Sequence, residues 1–311
     1  MNFAARDLVV SLAFLATIYC PLSLLAILVW NVLKLTSRGT AANTASLLFG
    51  LRILPFAISV VVTVFFTLPS FWLMERHSLD EDAGTFILAL CALCICGAGV
   101  FRALKIQRRT KLAVQQWLAE RTKAECSVRT PSLSAAQGAP PVILVGISKP
   151  RVMISDAAAT LLSDSELHAA IRHEISHARS GDNLKKVLVS LTPFPGMGGL
   201  EKAWQEAAEL AADSRAVTSL PEALDLASAL IKLSRFSQQF PNSLLATELV
   251  GDPSSIKLRV GRLLKWSVTG QPSGRGLSWA LPVLLTFIVG LVTNYGAALV
   301  LTHRLTELLV P

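Results

Sequence analysis

Four stretches without a single charged residue constrain this chain before anything else. Residues 8–33, 53–74, 83–101 and 276–302 contain no Asp, Glu, Lys or Arg. Each matches the roughly 18–20 apolar residues that carry a helix across a bilayer. They predict a mainly α protein held in the lipid bilayer by four transmembrane helices, three before residue 102 and one near the C-terminus. Composition agrees, with 52% hydrophobic and only 16% charged residues, against about a quarter charged in a typical soluble domain. The first run is too long for the apolar core of a cleaved signal peptide, and no A-x-A site closes it.

The charges between these runs predict an orientation. Lys34, Arg38 and Arg52 flank the first loop, "ERHSLDEDA" at 75–83 is net acidic, and 102–123 is strongly basic. Lys257, Arg259, Arg262, Lys265 and Arg275 precede the last run. Because Lys and Arg collect on the cytoplasmic side, residues 102–275 are expected in the cytoplasm and both termini outside, with 303–311 a short periplasmic tail. The net charge of +8 is absorbed by this topology, and no direct nucleic-acid binding is expected. Cys20, Cys91, Cys94 and Cys96 fall in expected spans and Cys126 in the reducing cytoplasm. They predict packing residues rather than disulfides or a metal cluster.

Within 102–275, a basic helix continues the third span to about residue 125, and "SVRTPSLSAAQGAPP" at 127–141 is a connector. Two β-branched runs in 142–155 around Ser148-Lys149-Pro150 predict one small hairpin. A helix starts near Ser163, where Glu166 stands at capping-box spacing, and Gly181 ends it. Further helices are expected at about 199–218, 221–236 and 254–266.

The helix that follows Ser163 carries "HEISH". His173 and His177 are four residues apart, so both imidazoles share a face about one turn apart. That spacing lets two nitrogens bind one zinc at about 2.0–2.1 Å. Glu174, beside the first histidine, is placed to act as general base on an activated water rather than to bind the metal. Two helical histidines also occur as an ordinary solvated pair. "AELAADSRAV" at 208–217 tips the balance, because Glu209 would complete a His₂Glu set and leave the fourth position for water. Asp213, four residues on, would accept the outer N–H of a ligand histidine. Charged flanks (Asp164, Glu166, Arg172, Arg179 and Asp182) exclude burial of this helix in mid-bilayer. The site is therefore expected in the cytoplasm, close to the membrane.

"EL-x5-HEISHARSGD" followed by "ELAAD" resembles the integral-membrane gluzincin metalloproteases: the heat-shock membrane protease, the CAAX prenyl proteases and the antirepressor proteases that sense β-lactams. The last branch is the most similar, in its three spans, zinc domain and fourth span, in "VGISKPRVMIS" before the zinc helix and in "SSIKLRVGRLL" before the last span. The resemblance implies a gluzincin-type zinc protease domain with one Zn²⁺ per chain on His173, His177 and Glu209. Glu174 would be the base, Asp213 the orienter and Asp182 a structural carboxylate after the helix. It also implies that Val145, Gly146 and Ile147 form an edge that pairs with an extended substrate.

Two departures stand out. The chain ends at Pro311, so no penicillin-binding sensor domain is expected after the fourth span. Where heat-shock relatives have histidine-proline-proline, Pro253-Ser254-Ser255 stands here. No histidine from that segment is available to stabilise a transition state, which leaves Arg259 as the candidate there. The expected function is a zinc endopeptidase of the bacterial inner membrane that cleaves a cytoplasmic protein, a transcriptional repressor in the most similar branch. A quality-control protease and a non-catalytic signalling scaffold are the alternatives, and Glu174 speaks against the scaffold. Oligomerisation is left open.

Overall fold

The computed structural model describes residues 3–33, 40–74, 83–124, 142–147, 150–237, 253–266 and 294–309. Long helices form where the uncharged runs predict them. Helix α1 is Phe3–Leu33. Helix α2 (Ala41–Val62) passes through a π-helical turn (Thr63–Thr67) into α3 (Leu68–Met74), and α4 is Ala83–Ala124. Within them Ala5–Val32, Ala41–Met74 and Ala83–Leu112 are long and apolar enough to cross a membrane. Their contacts use small residues, with Ala13, Ala16, Ala89 and Ala92 buried between α1 and α4, as is usual for helices packing in lipid. Leucines such as Leu24, Leu28, Leu90 and Leu93 point outward, where lipid is the apolar solvent.

Helix α2 begins at Ala41, capped by the Thr40 side chain, well before the uncharged run at 53. The reason is Arg52. Expected as a loop-flanking charge, it lies inside α2 and is buried. It donates to Thr192 Oγ1 at 2.9 Å, Thr192 O at 2.7 Å and Val189 O at 3.2 Å. Of the fourth expected span, 276–293 lies outside the described residues. Its remainder belongs to α11 (Tyr295–Leu309), which is helical through much of the stretch expected as a tail. Tyr295 donates to Phe65 O in the π turn at 2.8 Å and so docks α11 there.

The second part of the chain is also helical, around one two-stranded sheet. Strands β1 (Val142–Val145) and β2 (Arg151–Ile154) pair antiparallel, Val142 opposite Ile154 and Val145 opposite Arg151. Helices α5 (Asp156–Leu161), α6 (Asp164–Ser180), α7 (Asp182–Leu191), α8 (Gly198–Ala216), α9 (Leu220–Ser237) and α10 (Pro253–Leu264) follow. Ala169 and Ala170 on α6 meet Leu226, Ala229, Leu230 and Leu233 on α9, with Val142 and Leu263 closing the same core. The alanines bring the helix backbones close and set α6 rigidly against its neighbours. A second core joins the two parts: Leu200, Trp204, Ala207 and Ala208 of α8 pack on Ala45 and Leu48 of α2. The chain is mainly α with one small hairpin, as the sequence predicts. Cys126, 127–141, Ser148 and Lys149 are outside the described residues.

Candidate metal centre

Helix α6 is defined at both ends by local chemistry. Ser163 Oγ accepts from the Glu166 backbone N–H at 3.3 Å, and Glu166 accepts from the Ser163 N–H at 2.8 Å, a closed capping box. Gly181 ends the helix with φ 66°, the left-handed conformation that costs glycine least. Glu166 is further tied to Lys232 at 2.7 Å and Ser228 at 2.5 Å on α9. The helix that carries HEISH is thus held at its first turn and along its alanine face, and it buries His173, Glu174 and His177.

The two histidines point one nitrogen each at a common centre. Their Nε2 atoms are 3.1 Å apart. Glu209, from α8, brings Oε2 to 3.3 Å from His173 Nε2 and Oε1 to 3.4 Å from His177 Nε2. A tetrahedral zinc with ligand bonds of about 2.0–2.1 Å has ligand–ligand edges of about 3.3 Å. The observed separations are close to that length, with a different Glu209 oxygen facing each ring, and the three residues form a group able to hold a metal ion. The donor set, two imidazoles and one carboxylate, is that of a catalytic zinc with one position open.

The outer nitrogens face carboxylates. Asp182 Oδ2 lies 2.7 Å from His177 Nδ1 in a hydrogen bond. Asp213 Oδ1 lies 3.0 Å from His173 Nδ1, an ion-pair distance without hydrogen-bond alignment. Both contacts favour a proton on Nδ1 and a lone pair on Nε2, aimed at the centre. Burial alone would push both rings toward the neutral form. For His173 the Asp213 and Glu209 carboxylates outweigh it and raise the pKa. For His177, Asp182 and Glu209 raise it to about 10. Burial also opposes the charge of Glu209, yet Arg259 and the two histidines hold it well below the usual carboxylate range. Asp213 falls to about 2, against its own desolvation, because of Arg259 and His173. Four carboxylates, those of Glu174, Asp182, Glu209 and Asp213, share two basic side chains, Arg259 and Lys185. The remaining negative charge favours a divalent ion between the two imidazoles.

Every residue singled out for the metal chemistry lies in or against this cluster. Glu174 is buried beside His173 on the same turn. Asp182, expected as a structural carboxylate next to the metal site, lies against the outer nitrogen of His177. Arg259, from α10, is fully buried and bidentate to Asp213 at 2.7 Å on both arms, with a third nitrogen 3.1 Å from Glu209 Oε2. These bonds make it a clamp on the two α8 carboxylates. The edge of Val145, Gly146 and Ile147 is half-open, with Ile147 exposed. Asn183 Nδ2 donates to Leu144 O at 3.3 Å and Gly146 O at 3.0 Å there, so part of the expected pairing edge is already occupied. Asn183 carries no sequence signal of this role. Arg52 stands one residue before an uncharged run, and so reads in the sequence as a loop charge.

A family model described as BlaR1 peptidase M56 matches residues 83–263. That is more than half of the chain and takes in every residue of the cluster. The chain belongs to this family. It is accordingly a membrane-associated metallopeptidase, the coarse reading that the apolar helices and the metal-binding group also support. No curated protein and no solved structure matches it.

Proposed function

We propose that this member of the M56 family is a zinc endopeptidase of gluzincin type, acting from a bacterial inner membrane on a cytoplasmic protein. The convergence of His173 Nε2, His177 Nε2 and the Glu209 carboxylate within 3.1–3.4 Å of one another, with Glu174 buried beside them, carries the reading. Zinc held there supplies a Lewis acid for the scissile carbonyl and lowers the pKa of the attacking water. The chain's own residues do the rest. Glu174 accepts the proton of that water and delivers it to the leaving amine, a contribution of about 10²–10⁴-fold. Asp182 and Asp213 fix the tautomers of the ligand rings. Arg259 holds Glu209 and Asp213 in place, and its charge next to the site favours a developing oxyanion. The half-open edge at Val145–Ile147 offers backbone groups to an extended substrate, with Asn183 setting how much of β1 is free.

The likeness to the antirepressor branch supports a transcriptional repressor as substrate and a role in signalling, with the site on the side where the basic loops collect. Comparing the proteomes of cells making wild-type or Glu174→Gln protein tests this directly. A repressor fragment present only with the wild type is the expected outcome. Fragments drawn instead from misassembled membrane proteins would replace signalling with quality control. Reporter fusions within 127–141 should read cytoplasmic, and a periplasmic reading would overturn the substrate class together with the orientation.

A further inference from the structure

Helix α7 carries a polar gradient that the metal chemistry does not use. Its charges, Asp182, Lys185 and Lys186, fall in the first five residues, and from Val187 to Leu200 the chain has no charge. An uncharged stretch of about 10–14 residues is too short to span a bilayer but fits a re-entrant segment. The C-terminal end of α7 meets the three apolar helices well inside their lengths. Tyr19, at the middle of Ala5–Val32, donates to Thr192 O at 3.1 Å and Pro193 O at 3.2 Å. Gly99, inside the uncharged run 83–101 and three residues before Arg102, lies so close to the Leu191 carbonyl that a Cβ would collide with it. Arg52 takes the carbonyls of Val189 and Thr192 and the Thr192 hydroxyl.

The chain then climbs back along α1. Gly196 lies against Ile27 and Gly199 near Trp30, about 12 and 17 Å above Tyr19 at 1.5 Å per residue. Lys185 sits over the Phe49 ring, and Phe49 also packs on Trp204, five residues beyond Gly199. Descent along α7 and return along α1 make a hairpin whose tip lies level with Tyr19 on α1 and Gly99 on α4, inside both uncharged runs. Non-helical backbone is tolerated at such depth only where protein groups satisfy it. Arg52 and Tyr19 do so here.

We propose that α7 and the turn Leu191–Met197 form a re-entrant wedge in the bilayer, with Leu184 and Leu188 facing the acyl chains. These two leucines share one face at i, i+4 and are 48% and 37% exposed. Helix α7 is about 15 Å long, half the hydrocarbon thickness. Asp182, and the metal centre it touches through His177, therefore sit at the edge of the hydrocarbon layer. Substrate reaches the site along the membrane surface rather than from bulk solvent. This removes residues 187–200 from the part of the chain expected to lie wholly in the cytoplasm.

The experiment uses full-length protein with its five native cysteines replaced by serine, zinc content checked, reconstituted in phosphatidylcholine–phosphatidylglycerol vesicles. Spin labels go on Leu184→Cys and Leu188→Cys, with Leu93→Cys on α4 as lipid control and Leu224→Cys on α9 as water control. Oxygen, which concentrates in lipid, and a nickel chelate, which stays in water, report depth by power saturation. Leu188 should resemble Leu93, with Leu184 about 6 Å shallower and Leu224 open to nickel. Nickel access at Leu188 comparable with Leu224 would overturn the wedge, and so would a Leu188 label shielded from both reagents, since another part of the protein would then cover it. Nickel access at Leu93 and Leu188 together would remove the spans and the wedge at once.

Discussion

The carboxylate of Asp182 is the sharpest point at which this structure predicts a number. It is 5% exposed, accepts from His177 Nδ1 at 2.7 Å and takes a weaker bond from Lys185 at 3.2 Å. Truncation to alanine leaves a buried imidazole N–H without its acceptor, a cost of about 1–3 kcal/mol. It also frees the ring to turn away from the metal. Loss of such ligand-orienting partners costs about 10–100-fold in metal affinity, equal to about 1.4–2.8 kcal/mol. Asp182→Asn keeps an oxygen acceptor but loses the charge, so it should fall near the lower end and Asp182→Ala near the upper. The assay is chelator competition for zinc on detergent-purified protein at pH 7.5, alongside His177→Ala, which should retain no zinc. Thermal unfolding of the metal-free variants is measured in parallel. Asp182 also stands in the first turn of α7, where a negative charge is worth about 0.3–1 kcal/mol, and that loss appears without metal. If Asp182→Ala holds zinc as tightly as the wild type while His177→Ala loses it, Asp182 does not orient the ligand.

Glu174→Gln should keep its zinc and lose cleavage toward the upper end of about 10²–10⁴-fold, whereas Glu209→Gln should lose zinc first. Both are read by metal analysis and cleavage of a casein substrate, and a Glu174→Gln protein with near wild-type rate would end its role as base. Zinc added to metal-free protein at pH 7.5 should release a proton from His177, whose Asp182 and Glu209 partners raise its pKa to about 10 and which must deprotonate to bind. Calorimetry in buffers of different ionisation enthalpy counts the protons released, and a count of zero refutes a protonated His177 in the metal-free site. Burial opposes the charge of Glu166, but the bonds from Lys232, Ser228 and the Ser163 backbone prevail and lower its pKa. A depressed folded-state pKa stabilises above the ordinary glutamate value of about 4.3 and is lost as pH falls through the folded value. Glu166→Gln should therefore flatten the acid side of the Tm profile below about pH 4.5, and an unchanged profile would assign the acid loss elsewhere.

The features legible in the sequence are those written in short-range chemistry. Uncharged runs of membrane length are each one continuous stretch of chain, and the Ser163–Glu166 capping box, the glycine stop at 181 and the four-residue spacings of His173 with His177 and Glu209 with Asp213 each depend on residues within one or two helical turns. Helical geometry alone puts such pairs on one face, so their chemistry was readable without a fold. The pairing of those two faces was an inference from donor type, and it needed α6 and α8 to pack with ligand atoms 3.3–3.4 Å apart. Other features depended wholly on contacts between distant segments. Arg52 looks like a loop charge because its acceptors at Val189 and Thr192 are more than a hundred residues away. Arg259 looks like a free cation near the site, and only the approach of α10 to α8 commits it to Asp213 and Glu209. Asn183 reaches β1 across a turn whose shape no spacing rule encodes. Asp182 reads as the residue after a helix, until Gly181 turns the chain and aims its carboxylate back at His177. Backbone periodicity is a local property and survives in any context. A buried charge takes its role from the partner that the tertiary fold brings to it.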